Sequence, residues 1–266
     1  MLDVRSVRTQ KSDVAAWDAD WSYHYLRRLM AKIQSRYALR TLADAPDVLA
    51  SEDPVAFIRH DVDISLGRAR ILAELEKSWG IRSTYHVMLD CPVYDVTEAR
   101  SREALRAIRA CGHEIGLHYH PSHNESEAPP GSADAQISSA CDRLAEALGT
   151  EVKSVSFHLP SPGLMGGPLR AAGRINAYAA PLLKWYLSDS RGRWREGEPM
   201  FTLDAPRSNH LQILVHPLWW GERHESPGVR LTGLVKEVAQ QRGASFEEIA
   251  ELIEKHILVP PIANGA

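Results

Sequence analysis

The stretch Val55-Ala-Phe-Ile-Arg-His-Asp-Val-Asp63 decides the fold, because it joins a short apolar run to two carboxylates. Pro54 precedes the run, and Val55 to Arg59 is typical of a buried β-strand. Five later apolar runs predict further strands, at residues 81–89, 114–118, 152–157, 183–187 and 211–215. Helical patterns separate several of these strands. This alternation predicts an α/β fold in which parallel strands form a closed or nearly closed barrel.

Helical spacing of apolar residues predicts one or two helices within residues 14–43, and further helices at 65–79, 97–111, 132–148 and 245–256. Gly80, Gly112 and Gly149 follow three of these segments, as expected of residues that end helices. The length is suited to one domain over residues 1–266. We expect a helical segment at 1–54 that packs on the barrel, and a functional core at 55–220.

The chain has 266 residues, is 44% hydrophobic and carries a net charge of −3. Its lysines and arginines are scattered, which argues against a nucleic-acid surface. Three cysteines without a C-x-x-C pair indicate free thiols in a reducing compartment. The sequence shows neither a signal-peptide pattern nor an apolar run that could span a bilayer. We therefore expect a cytoplasmic protein without a transmembrane segment.

Polar groups that can bind metal or move protons follow nearly every predicted strand. Active sites of α/β barrels gather at the carboxyl ends of the strands, so these side chains are expected to converge. They are Asp61 and Asp63, His118 and His120, His158, Asp189, and His216. A buried core histidine is the other interpretation of His216.

Asp61 and Asp63 are two residues apart on an extended segment and therefore face the same side. Two converging carboxylates repel unless a cation or a proton lies between them. The other interpretation is that they cap the helix that begins near Ser65. His118 and His120 also share a face if their strand continues, and imidazoles with a carboxylate form zinc sites with an open position.

The order of these motifs resembles that of the polysaccharide deacetylases of the NodB-homology type, carbohydrate esterase family 4. The resemblance extends over residues 55–220. The five segments that carry it are His60-Asp-Val-Asp63, Gly112 to His123, Phe157-His-Leu-Pro-Ser161, Ser188-Asp-Ser-Arg-Gly-Arg-Trp194 and Ile213-Leu-Val-His216. It implies a distorted (β/α) barrel of the NodB type.

Two departures from the family pattern affect the site. The family's metal histidines are four residues apart, but position 122 is Ser. The third ligand is therefore His120 or His123, and strand alternation favours His120. His158 stands where the family has an arginine. These changes suggest a divergent branch, which we expect to act in the biosynthesis of O-antigen or another surface polysaccharide.

The resemblance implies a hydrolase that removes an N-acetyl group from a sugar or polysaccharide intermediate, breaking a C–N bond other than a peptide bond. It implies one divalent metal, with zinc expected, and a free, nucleotide-linked or lipid-linked sugar as substrate. Its implied residues are Asp61 as base, His216 as acid, Asp63 and His118 with His120 or His123 as metal ligands, and His158, Arg191, Trp194 and Trp219 as orienting or substrate-binding groups. Two alternatives are hydrolysis of a small non-sugar amide and an inactive sugar-binding homologue.

Overall fold

The computed structural model describes residues 20–120, 132–160 and 164–255. Its centre is one sheet of nine strands in the order β6-β7-β5-β4-β3-β2-β9-β8, with β1 paired to β2. The strands are β1 (Ala38–Arg40), β2 (Val55–Val62), β3 (Thr84–Val87), β4 (Glu114–Tyr119), β5 (Ser154–Phe157), β6 (Arg170–Ala171), β7 (Arg174–Asn176), β8 (Tyr186–Ser188) and β9 (His210–Val215).

Parallel pairing dominates the sheet, and only the short β6–β7 pair among the described strands is antiparallel. All eight residues of β2 are buried, as expected for a parallel strand covered on both faces. In the register of β2 with β3, Asp61 lies opposite His86. The carboxyl ends of β2, β4, β5, β8 and β9 therefore point to one edge of the sheet.

Side chains show that the two ends of the sheet approach each other. Gln212 on β9 donates from Nε2 to the carbonyl oxygen of Ala177, just after β7, at 3.0 Å. The rings of Tyr178 and Tyr186 have centroids 6.5 Å apart. Among the described residues no strand ladder joins β7 to β8. The predicted α/β fold with a distorted barrel is thus confirmed, and the barrel stays open at this seam.

Eight α-helices accompany the sheet in the described part of the chain. They are α1 (Tyr23–Gln34), α2 (Ala45–Val48), α3 (Leu66–Ser78), α4 (Ala99–Ala110), α5 (Ser132–Leu148), α6 (Pro199–Thr202), α7 (Pro227–Arg242) and α8 (Phe246–Ile253). Serine side chains accept from backbone N–H groups at the starts of four of them, which satisfies donors that would otherwise lack partners. These serines are Ser22, Ser65, Ser226 and Ser245.

Two helical regions differ from the sequence prediction. The predicted helical segment 14–43 contains α1 and then strand β1, which pairs with the start of β2. Helix α7 was not predicted, although Ser226 and Pro227 form a typical helix start and Gly243 ends it in a left-handed conformation. No helix in the described ranges has the length and apolarity needed to cross a bilayer.

Candidate active site

The carboxyl edge of the sheet opens into a cavity of about 530 Å³. Five of the residues predicted from strand ends line it: Asp61, Asp63, His118, His158 and His216. Asp61 and His118 lie in β2 and β4, whereas the other three residues directly follow β2, β5 and β9. The structure therefore brings together side chains from four strands that are far apart in the sequence.

Asp63, His118 and His158 form a buried group that could hold a metal ion. Asp63 Oδ1 lies 3.2 Å from His118 Nε2 and 3.6 Å from His158 Nδ1. The two ring nitrogens are 3.1 Å apart. Ligands of one tetrahedral zinc ion, with bonds of about 2.05 Å, lie ~3.3 Å from each other. The three atoms therefore have the spacing that such an ion requires.

An unsatisfied atom supports this interpretation. Asp63 Oδ1, one of the three grouped atoms, is buried and has no hydrogen-bond partner among the described residues. Buried polar groups in proteins nearly always have partners, so this oxygen needs an explanation. Burial would raise the pKa of Asp63, but the neighbouring rings of His118 and His158 outweigh this effect and lower that pKa. Asp63 is therefore an ionised carboxylate that can serve as a ligand.

Ser156 on β5 orients His118. Its hydroxyl donates to Asp61 Oδ1 at 3.1 Å and lies 2.6 Å from His118 Nδ1. Because the hydroxyl of Ser156 donates its proton to Asp61, the hydroxyl oxygen accepts from an N–H at Nδ1 of His118. The lone pair of the ring is then at Nε2, which faces Asp63. Outer contacts of this kind fix the tautomer of metal-binding histidines.

The predicted alternatives for the third ligand have different positions. His120 follows the end of β4, is half-buried, and has its ring centroid 5.1 Å from that of His158. His123 lies outside the described residues. The choice between them stays a prediction, and His158, predicted as an orienting group, is the residue that the structure groups with Asp63 and His118.

Arg59 binds Asp61 from within the same strand. Its Nε and Nη2 donate to Oδ1 and Oδ2 of Asp61 at 2.9 and 2.6 Å, and both side chains are buried. The guanidinium also lies 4.2 Å above the centroid of the Tyr178 ring. Burial would raise the pKa of Asp61, but the charge of Arg59 holds it well below its usual range. Asp61 is therefore ionised and fixed in orientation.

Arg59 is a functional residue without a predicted role. The sequence contained a signal for it, since Arg59 ends an apolar run and, at two residues from Asp61, shares its face. Ser156 was missed as well, and its position in an apolar strand offers no comparable signal.

Asp189 and Trp220 hold His216. Asp189 Oδ1 is 2.6 Å from His216 Nδ1, and Asp189 Oδ2 accepts from Trp220 Nε1 at 2.9 Å. Burial would lower the pKa of His216, but the charge and hydrogen bond of Asp189 outweigh it and raise that pKa to about 9. His216 Nε2 faces the cavity, 3.9 Å from Asp63 Oδ2. His216 is therefore a protonated, oriented donor.

His86 is a further buried contact of Asp61. Its Nδ1 lies 3.6 Å from Asp61 Oδ1, and its Nε2 lies 3.0 Å from the hydroxyl of Ser154. Burial lowers the pKa of His86 to about 4, so the ring is neutral. The ring passes over Gly116, where a Cβ would lie 2.5 Å from His86 Cδ2.

The predicted substrate residues divide into two groups. Arg191 and Trp219 line the cavity. Trp194 is buried in an aromatic cluster, stacked on Trp21 with ring centroids 6.5 Å apart, and is not part of the cavity wall. Trp219 Nε1 is buried and has no hydrogen-bond partner among the described residues.

Two further buried histidines have structural contacts away from the cavity. His60 Nε2 lies 2.8 Å from the buried carboxylate of Glu76, on the side of β2 opposite Asp61. His113 lies 2.9 Å from Ser83 Oγ, which donates to the same carboxylate. These two histidines are thus explained by packing around Glu76.

No protein-family model matches the chain, and no curated protein sequence matches it. Solved structures similar to it include deacetylases, esterases and pseudoenzymes, several of which are described as members of carbohydrate esterase family 4. An esterase of this family from Streptococcus mutans has 15% identity and a TM-score of 0.46, with 80% of this chain and 92% of that chain covered. A polysaccharide deacetylase from Bacillus cereus has 15% identity and a TM-score of 0.44, with 73% and 90% covered. A pseudoenzyme of the family from Bacillus anthracis has 11% identity and a TM-score of 0.41, with 71% and 62% covered. The family named by these structures is the one that the sequence motifs resemble.

Proposed function

We propose that this protein is a metal-dependent hydrolase that removes an N-acetyl group from a sugar. One observation carries the proposal. The grouped ligand atoms of Asp63, His118 and His158 share a cavity with an arginine-bound carboxylate and an aspartate-bound histidine. Metal-assisted amide hydrolysis requires a metal site, a base and an acid.

Asp63, His118 and His158 would hold a divalent cation, with zinc as the expected ion because imidazole and carboxylate ligands suit it. A cation bound there supplies Lewis acidity, which activates a water molecule and polarises the acetyl carbonyl group. The remaining chemistry belongs to side chains of the chain itself.

Asp61 would accept the proton of the attacking water. Arg59 keeps Asp61 ionised and fixes its orientation, and Asp61 lines the cavity. His216 would donate a proton from Nε2 to the nitrogen of the breaking C–N bond, and Asp189 keeps that proton available. The products are acetate and a free amine, which balances the atoms of amide and water.

Trp219 lines the cavity and would pack against the sugar ring, since aromatic faces suit the apolar faces of sugars. The expected setting is the cytoplasmic assembly of a surface polysaccharide, on a free or carrier-linked sugar. The three cysteines are unpaired, which supports a reducing compartment.

The test measures bound metal and released acetate on the same preparations. Wild type, Asp63→Ala, His118→Ala and the control His24→Ala, an exposed residue, are loaded with zinc and dialysed. They are then given N-acetylglucosamine oligomers. The proposal expects metal and acetate release in wild type and the control only. Acetate release that survives loss of the metal would contradict it. Metal and sugar binding without acetate release would identify an inactive sugar-binding homologue.

A further inference from the structure

The loop between β8 and α6 carries two arginines at the cavity. Arg191 and Arg195 are exposed, line the cavity, and form no ion pair or hydrogen bond with the described residues. Arg193 lies between them on the same loop and is also exposed, but it does not line the cavity. Arginines without partners at the mouth of a cavity are available to a ligand.

The backbone of this loop is fixed by contacts with the active site. The backbone carbonyl oxygen of Asp189, whose carboxylate holds His216, accepts from the N–H of Gly192 at 3.0 Å. A Cβ on Gly192 would lie 2.5 Å from Pro227 Cβ, so the turn packs closely against α7. The loop thus connects the predicted acid to the cavity arginines.

Arg191 has a positive φ of 61° between these anchors. This conformation is uncommon for residues other than glycine and persists only where the surrounding structure enforces it. Strain of this kind is concentrated at functional sites. The turn therefore presents Arg191 at the cavity at some cost in backbone energy.

The charges of the cavity compensate these arginines only in part. Asp61 is paired with Arg59, and Asp63 belongs to the proposed metal site. Glu196 also lines the cavity, but its Oε2 accepts from the backbone N–H of Ser188 at 3.3 Å. Two guanidinium groups therefore face one rim carboxylate. Guanidinium groups bind carboxylate and phosphate oxygens with paired hydrogen bonds.

We propose that the substrate carries an anionic group, a carboxylate or a phosphate, which Arg191 and Arg195 bind while the acetamido group reaches the proposed metal site. The inference rests on the proposed function for its N-acetyl sugar. The anionic group explains the two free arginines and the strained turn at Arg191. A neutral sugar would leave both guanidinium groups unused.

Binding is measured by calorimetry on the metal-loaded protein carrying Asp61→Asn, so that hydrolysis does not interfere. The probes are N-acetylglucosamine, N-acetylmuramic acid with a carboxylate, and N-acetylglucosamine 1-phosphate. Arg191→Gln and Arg195→Gln should each raise the Kd of an anionic probe about tenfold, the loss expected for a charged hydrogen bond. The same changes should leave the Kd of the neutral sugar within about twofold.

Arg193→Gln is the matched control and should bind every probe as the parent does. Tighter binding of one anionic probe identifies its group, carboxylate or phosphate, as the one recognised. The inference is overturned if neither anionic probe binds more tightly than the neutral sugar, or if both cavity variants bind like the control. Acetate release from neutral oligomers by wild type would then leave the proposed function intact, so the two failures are distinguishable.

Discussion

Arg59 and Asp61 form a bidentate, buried ion pair two residues apart on one strand, with N–O distances of 2.9 and 2.6 Å. Neighbouring residues of the same face in a strand are held apart by the backbone, so the pair requires both side chains to bend towards each other. Arg59 stabilises the charge of Asp61 inside the sheet, and its stacking on Tyr178 fixes the guanidinium plane. The charge state of the proposed base therefore depends on a residue that does not line the cavity.

Removing Arg59 should destabilise the fold. Arg59→Met leaves the carboxylate of Asp61 buried without its counter-charge, and breaking such a pair costs about 3–5 kcal/mol. Urea unfolding should show this loss of free energy. The double variant Arg59→Met with Asp61→Asn removes both charges and should regain most of it. Equal instability of the single and double variants would mean that packing, not charge, is the role of Arg59.

Asp61→Asn should retain the metal and lose turnover. The amide has the shape of the carboxylate but cannot accept the proton of water at neutral pH. General-base catalysis contributes about 10²–10⁴-fold, so acetate release should fall by that factor. Metal content after dialysis should equal that of wild type. Loss of the metal in this variant would show that Asp61 is a ligand and not the base.

His158→Ala should remove most of the bound zinc, because an open zinc site depends on each of three protein ligands. His120→Ala tests the prediction made from the sequence, and the exposed His24 serves as the control position. Elemental analysis of the dialysed proteins separates the cases. If His120→Ala loses zinc and His158→Ala keeps it, His120 is the third ligand and His158 an orienting group.

His86 should make stability depend on pH. Its pKa is about 4 in the folded protein against an ordinary value of 6.5, so the unfolded chain takes up a proton that the folded chain does not. The stability contributed by neutral His86 is complete above pH 6.5 and falls as the pH drops towards 4. The loss approaches about 3 kcal/mol over this window. Urea unfolding of wild type at several pH values should show a free energy of unfolding that falls between pH 6.5 and pH 4, and the fall should be smaller in His86→Gln. Parallel plots of this free energy against pH for the two proteins would contradict the prediction.

The sequence predicted the site at the level of strands. The carboxyl-end rule placed Asp61, His118, His158 and His216 at one edge, because parallel strands all end there. The carboxyl-end rule does not predict which side chains contact each other, because such contacts depend on strand register and on rotamers. Ser156, for example, contacts His118 only because β5 lies beside β4. Strand alternation does not predict which way the side chain of His120 points, since β4 ends at Tyr119. The fold class followed from alternating elements, whereas the short strands β1, β6 and β7 carry too few residues to show a pattern.

Strand β9, the last strand in the described part of the chain, lies inside the sheet between β2 and β8. The carbonyl oxygen of Val215 contacts the ring of His60, although the two residues are 155 positions apart in the sequence. A chain emerging from the ribosome must therefore keep one edge of apolar β2 unpaired until nearly all strands have been synthesised. Such long-range closure slows folding and exposes a strand edge to other chains. Products truncated before residue 210 should consequently aggregate rather than fold, and the native protein should depend on chaperones during synthesis.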